Sequence, residues 1–148
     1  MKKEIIILFL LMFVLSCTLN NDKNSKDGLV ITKRSDGTIH YMNYYKNGLV
    51  DGASISFHDN GKVYTYGNYI DGIIHGSRLI FFYNGKINDY NNYLNGIREG
   101  VSVFYNEKGV LIEKEYYRNG VRDGEQYYFK DNGDTLRVDY YEKGVLRY

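Results

Sequence analysis

The residues that could do chemistry are few and dispersed. His40, His58 and His75 are the three imidazoles of the chain. A metal site needs several such ligands converging at about 2 Å, and these three fall in different phases of the pattern described below, so neither metal nor cofactor is expected. His75 shares its phase with Asp51, Glu99 and Asp123, which reads as a polar turn position. Glu113 and Glu115 stand two residues apart, which on a strand puts both on one face, as general acid–base work requires. Their equivalent positions hold Thr65, Asp89 and Arg137 in one case, and Gly67, Asn91 and Asp139 in the other. Such variable positions read as solvated. No nucleophile motif, phosphate loop or dinucleotide fingerprint is present, so the chain is expected not to be an enzyme.

What the chain has in quantity is tyrosine: 17 of 148 residues, with no Trp, no Pro and one Cys. The length suits one domain. Nineteen basic against 18 acidic residues leave no strong field, which argues against nucleic acid as a partner, since that needs a basic patch or stripe. A single Cys excludes an internal disulfide framework.

That cysteine closes a distinct leader. Lys2 and Lys3 precede an apolar run from Ile5 to Leu15. As a helix this run would rise about 16 Å, well short of the ~30 Å hydrocarbon layer, so a secretory signal fits better than a membrane span. The run ends Val14-Leu15-Ser16-Cys17, which resembles the lipobox of bacterial lipoproteins. The resemblance implies cleavage after residue 16 and lipidation of Cys17. Loss of Lys2, Lys3 and Glu4 would leave 17 basic and 17 acidic residues, so attachment to a membrane would rest on acyl chains, several of which hold firmly where one does not. Residues 17–27 then read as a lipid-anchored polar tether.

The remainder, residues 28–148, is periodic. Gly48, Gly72, Gly96, Gly120 and Gly144 are spaced by 24; so are Gly28, Gly52, Gly76, Gly100 and Gly124; so are Gly37, Gly61, Gly85, Gly109 and Gly133. Of 16 glycines only Gly67 is out of phase. Five units of 24 follow (28–51, 52–75, 76–99, 100–123 and 124–147). Each holds two turn signals, one of the Asn60-Gly61 type and one of the Asn95-Gly96 type, and eight of the ten pairs are Asn-Gly or Asp-Gly. Such pairs suit the type I′ turns of hairpins. The segments between are rich in β-branched and aromatic residues and too short for helices. The predicted fold is all-β: an elongated antiparallel β-hairpin repeat sheet.

Ile55, Leu79, Val103 and Tyr127 share one parity of the first strand of each unit, with Ser54, Arg78, Ser102 and Gln126 on the other. This predicts a strand buried on its apolar side. In the second strand, Thr65, Asp89, Glu113 and Arg137 read as solvent-facing, yet Val63, Ile87 and Leu111 share their parity and read as buried; a twist or bulge would reconcile them. Tyr45, Tyr69, Tyr93, Tyr117 and Tyr141 form a regular column, and Tyr44, Tyr116 and Tyr140 a less regular one. Packed together they would replace a core; exposed, they would form an aromatic surface for a partner.

Tyr69-Ile70-Asp71-Gly72-Ile73-Ile74-His75-Gly76 resembles a MORN repeat, and Tyr45 to Gly52, Tyr93 to Gly100 and Tyr117 to Gly124 match it. The unit is about one residue longer than usual and carries an extra mid-unit turn, features similar to bacterial MORN-variant repeats. The resemblance implies a platform for proteins or lipids, and some bacterial members carry the label of antitoxin. The expected function is a non-enzymatic module at the cell envelope, facing outside the cytoplasm and binding a protein through its tyrosines. The alternatives are an antitoxin or immunity-type inhibitor bound to a toxin, and a binder of envelope glycan. Open sheet ends invite self-association. Replacing Cys17 with Ser is expected to move the protein from the membrane to the soluble fraction on cell fractionation; unchanged membrane association would contradict lipid anchoring.

Overall fold

Two kinds of glycine turn build the molecule. The computed structural model describes residues 27–148, and Cys17 with the leader and most of the tether lies outside them. β1 (Gly28–Lys33) and β2 (Ile39–Lys46) form a hairpin continued by β3 (Leu49–Phe57), β4 (Val63–Ile70), β5 (Ile73–Phe81) and β6 (Ile87–Leu94). β7 (Ile97–Arg98) and β8 (Gly100–Tyr105) both pair with β6. β10 (Val121–Arg122) and β11 (Gly124–Phe129) both pair with β9 (Leu111–Arg118), and β12 (Thr135–Glu142) and β13 (Val145–Arg147) complete the order. The 13 strands of the described residues lie in one open antiparallel sheet that runs in sequence order, with β7 and β8 together beside β6 and β10 and β11 together beside β9. Among the described residues there is no helix.

The turns differ from the single type expected. At Asn47-Gly48, Asp71-Gly72, Asn95-Gly96, Asn119-Gly120 and Lys143-Gly144 both residues have positive φ (48–53° and 75–84°), as a type I′ turn demands. In the other series only the glycine does. Gly61 N–H donates to His58 O (3.1 Å) and His58 N–H to Lys62 O (2.8 Å), a type I turn followed by a left-handed glycine. There the Asn acts through its side chain, since Asn60 Oδ1 accepts the Lys62 N–H (3.0 Å) and Asn84 Oδ1 the Lys86 N–H (2.9 Å).

Two bulges recur. Phe57 pairs with Val63 but Ser56 with Thr65, leaving Tyr64 as an extra residue; Asn88, Ile112 and Leu136 are equivalent. Val63 and Thr65 therefore face opposite sides, which reconciles the conflicting parity of the second strand. The second bulge follows each of the first four type I′ turns. Tyr69 pairs with Ile74 and Gly67 with Arg78, so Asn68 alone spans His75, Gly76 and Ser77. In the next two hairpins this bulge interrupts the strand at Glu99 and at Asp123.

Burial runs against the pattern read from the sequence. Ile55, Leu79, Val103 and Tyr127 are only half-buried, and among the described residues no apolar side chain is fully buried. The buried side chains are Ser56, Asp89, Asn91, Ser102, Glu115 and Gln126. The expected solvated positions Asp89, Asn91 and Glu115 are thus corrected to buried ones, and Thr65 and Glu113 to half-buried. Among the described residues no second layer covers the apolar face, whereas on the polar face long Arg and Tyr side chains lie over short neighbours.

Gly120 has φ +81°, and a Cβ there would lie 3.1 Å from Ile97 Cγ2. Gly120→Ala is expected to cost about 1–2 kcal/mol in denaturant unfolding. Gly67 lacks positive φ, and its Cβ would meet ordinary contacts from 3.4 Å; Gly67→Ala should be neutral or stabilise by about 0.5 kcal/mol. Equal losses at both sites would contradict the assignment of turn strain.

Candidate interaction face

Cross-strand pairing lines up one polar row across the sheet. Arg78 faces Asn91, Ser102 faces Glu115, and Gln126 faces Asp139. Two residues along on the same face runs the tyrosine row Tyr45, Tyr69, Tyr93, Tyr117 and Tyr141, all half-buried. Each of these tyrosines pairs on one side with a left-handed glycine (Gly76 for Tyr93, Gly100 for Tyr117) and on the other with Val50, Ile74, Arg98, Arg122 or Leu146.

Arginine enters this row in the third and fourth positions and organises the site. Arg98 Nη1 donates to Tyr117 Oη (3.0 Å), and Tyr117 Oη donates to Glu115 Oε2 (2.8 Å). Glu115 Oε1 is ion-paired with Arg122, which also lies 3.7 Å from Glu113. Arg98 lies over the Tyr117 ring (5.1 Å) and Arg122 over Tyr141 (5.5 Å). Gln126, fully buried, accepts the Tyr116 N–H at Oε1 (3.0 Å) and donates to Tyr116 O (3.2 Å) and Gly124 O (3.1 Å). Its amide thereby replaces ladder bonds that the bulge at Asp123 displaces.

Burial sets the electrostatics. The Glu113 pKa is pushed up, first by burial and then by the Glu115 charge, against the pull of Arg122. Asp89 is pushed up by burial against Arg78 and Arg98. Burial disfavours the Arg122 charge, but Glu115 and Tyr117 override it and hold its pKa above the usual value. Glu113 and Glu115 share a face, as the spacing indicated, and Glu113 has the raised pKa of a general acid. Both Glu115 oxygens, however, are already committed to Tyr117 and Arg122, which makes the pair part of an ion-paired seam.

The other sequence-selected residues lie elsewhere. Tyr44, Tyr116 and Tyr140 belong to the opposite face, where Tyr44 pairs with Leu29 and Tyr116 with Val101. The eight tyrosines therefore form two surfaces. His75 Nδ1 meets Asn95 Oδ1 (3.1 Å), and Glu99 Oε2 accepts the Asn119 N–H (2.7 Å) as Asp123 Oδ1 accepts that of Lys143 (3.1 Å). This column ties each hairpin to the following turn. His58 Nε2 meets Phe81 O (3.0 Å), and His40 stacks near Tyr41. Sequence reasoning passed over Arg98 and Arg122, although their phase, five residues after a column tyrosine, is visible. It also passed over Leu49, Ile73, Ile97, Val121 and Val145, an exposed column that directly follows each type I′ turn.

No family model matches this chain, and no curated protein matches it.

Arg122→Ala strands the Glu115 carboxylate and is expected to cost about 2 kcal/mol, less than for a wholly buried pair because Arg122 is partly exposed. Glu113 and Asp89 bind protons more tightly folded than unfolded. Their contribution to stability therefore falls as pH rises from the ordinary values of 4.5 and 3.8 through the raised ones. Glu113→Gln should flatten that decline in pH-dependent unfolding; an unchanged profile would contradict the assignment.

Proposed function

We propose that the chain is a non-enzymatic MORN-variant repeat protein, lipidated at Cys17 and held outside the cytoplasm, that binds a partner protein through its sheet. Five 24-residue units, 28–51 to 124–147, supply the surface. The observation that supports this reading is the row of half-buried Tyr45, Tyr69, Tyr93, Tyr117 and Tyr141 on an uncovered face, with Arg98 and Arg122 laid over two of the rings.

Tyr and Arg are enriched among binding hot spots: Tyr offers large contact area with little conformational freedom to lose, and Arg offers a planar fork of donors. Here each tyrosine of the row pairs across the ladder with a left-handed glycine, and the Tyr117 hydroxyl is held by Arg98 and Glu115. A preorganised surface of this kind loses less entropy on binding than a mobile one. The seam beneath it sets ring positions rather than performing a reaction. The leader supports the envelope location, and the neutral body leaves attachment to the acyl chains.

A photo-crosslinking residue placed at Tyr69 or Tyr93 in intact cells is expected to capture one dominant protein, while the same residue at Tyr44 or Tyr140 captures little. Tyr93→Ala together with Arg98→Ala should reduce that capture from the Tyr69 position at least tenfold. Capture confined to the Tyr44 face, or of polysaccharide alone, would overturn the reading.

A further inference from the structure

The first and last long strands of the sheet are open in a complementary way. Among the described residues nothing pairs with the outer edge of β1. β12 pairs with β13 only over Tyr140–Glu142, so among the described residues nothing pairs with 135–139 on that side. Both open stretches expose apolar side chains: Val30 and Ile31 at 38% and 46%, Leu136 and Val138 at 63% and 46%. β1 carries one charge, Lys33, and no proline. Devices that normally blunt an edge strand are therefore sparse.

One pairing rule joins successive hairpins. Ile55 faces Met42, Leu79 faces Tyr66, Val103 faces Tyr90, and Tyr127 faces Lys114. One place further along, Ser56 faces Tyr41, Ile80 faces Thr65, Phe104 faces Asp89, and Tyr128 faces Glu113. Applied to β12, the rule requires a strand whose residues share the phase of Tyr127 opposite Val138 and the phase of Tyr128 opposite Arg137. In the 24-residue period those phases in β1 are Ile31 and Thr32.

We propose that β1 of a second copy docks antiparallel on residues 135–139 of β12, with Ile31 opposite Val138, Thr32 opposite Arg137 and Val30 opposite Asp139. Docking places Ile31 in line with Ile55, Leu79, Val103 and Tyr127, and covers four apolar side chains that are exposed in the single chain. The two surfaces differ, so the contact is head-to-tail and propagates into an open series of copies instead of closing at a dimer. Arg147 and Tyr148 stand in the phase of Asp27 and Gly28 of the incoming strand; both are exposed, and both move aside on docking. The proposal is independent of the partner-protein reading, which uses the face of the sheet rather than its edges.

Sedimentation velocity on the full chain in mild detergent tests it. The unmodified protein should show a concentration-dependent series of species, and a monomer at all concentrations up to about 100 µM would overturn the proposal. Ile31→Glu disables one edge and Val138→Glu the other, so each variant alone should be monomeric, and the two altered edges repel each other. Their equimolar mixture retains one intact edge of each kind and should stop at a 1:1 dimer. Val138→Glu dimerising alone would indicate β1-to-β1 pairing, and a mixture that stays monomeric would exclude the junction; either overturns the proposal. Val30→Glu, which sets a like charge opposite Asp139, and Leu136→Lys provide a second pair should circular dichroism show either first variant to have lost its strands.

Discussion

The sheet depends on a pairing of glycine with tyrosine across neighbouring strands. Gly28 faces Tyr45, Gly52 faces Tyr69, Gly76 faces Tyr93, Gly100 faces Tyr117, and Gly124 faces Tyr141. All five glycines have positive φ, between 79° and 115°, a conformation that other residues adopt only with strain. At Gly52, Gly76, Gly100 and Gly124 this geometry admits the wide bulge that follows a type I′ turn. The bulge in turn aims Glu99 and Asp123 at the backbone of the following turn, where they accept its N–H groups. Next to them, Gly120 N–H donates to Arg98 O (2.9 Å) and Gly144 N–H to Arg122 O (2.8 Å). One backbone constraint thus produces the tyrosine row and the stitching between hairpins together.

A sheet built this way has no apolar interior to close. Its hydrophobic stabilisation is spread over many half-buried contacts, each smaller than that of a core side chain. Backbone ladders and side-chain bonds carry the rest at about 0.5–1.5 kcal/mol each. At the opposite turn edge Lys62 Nζ reaches Asn84 O (2.9 Å), Lys86 Nζ reaches Lys108 O (2.7 Å), and Asn84 Nδ2 reaches Glu107 O (3.0 Å). Every one of these bonds links a hairpin to the next and none reaches further. Stability is accordingly close to a sum over neighbours. The seam of buried Glu115 and Gln126 with Arg122 concentrates the strongest of these links between β9 and the neighbouring β10 and β11.

The all-β architecture and the hairpins were legible because glycine phase is a backbone property, visible without knowledge of packing. Turn chemistry was legible only in part. Asn60-Gly61 and Asn95-Gly96 look alike in sequence, yet the Asn60 type bonds its side chain to the backbone two residues on, while Asn95 itself takes a left-handed φ. The buried face was misread for a different reason. Alternation of apolar and polar residues identifies the protected side only where a second layer covers the apolar one. Without that layer, Ile55 and Leu79 stay half-exposed while Ser102 and Gln126 disappear beneath longer neighbours. The Glu113–Glu115 pair was placed correctly on one face, but its partner Arg122 arrives from across the bulge, a contact set by pairing register and invisible in local spacing.

Neighbour-limited stability is tested most directly by native-state hydrogen exchange resolved along the chain of the monomeric Ile31→Glu variant, in which β1 and β12 stay unpaired with other copies. The expected result is protection that rises in steps from β1 and β12 towards the middle hairpins, with each hairpin opening at its own free energy. A single opening free energy shared by all strands from β1 to β12 would contradict it.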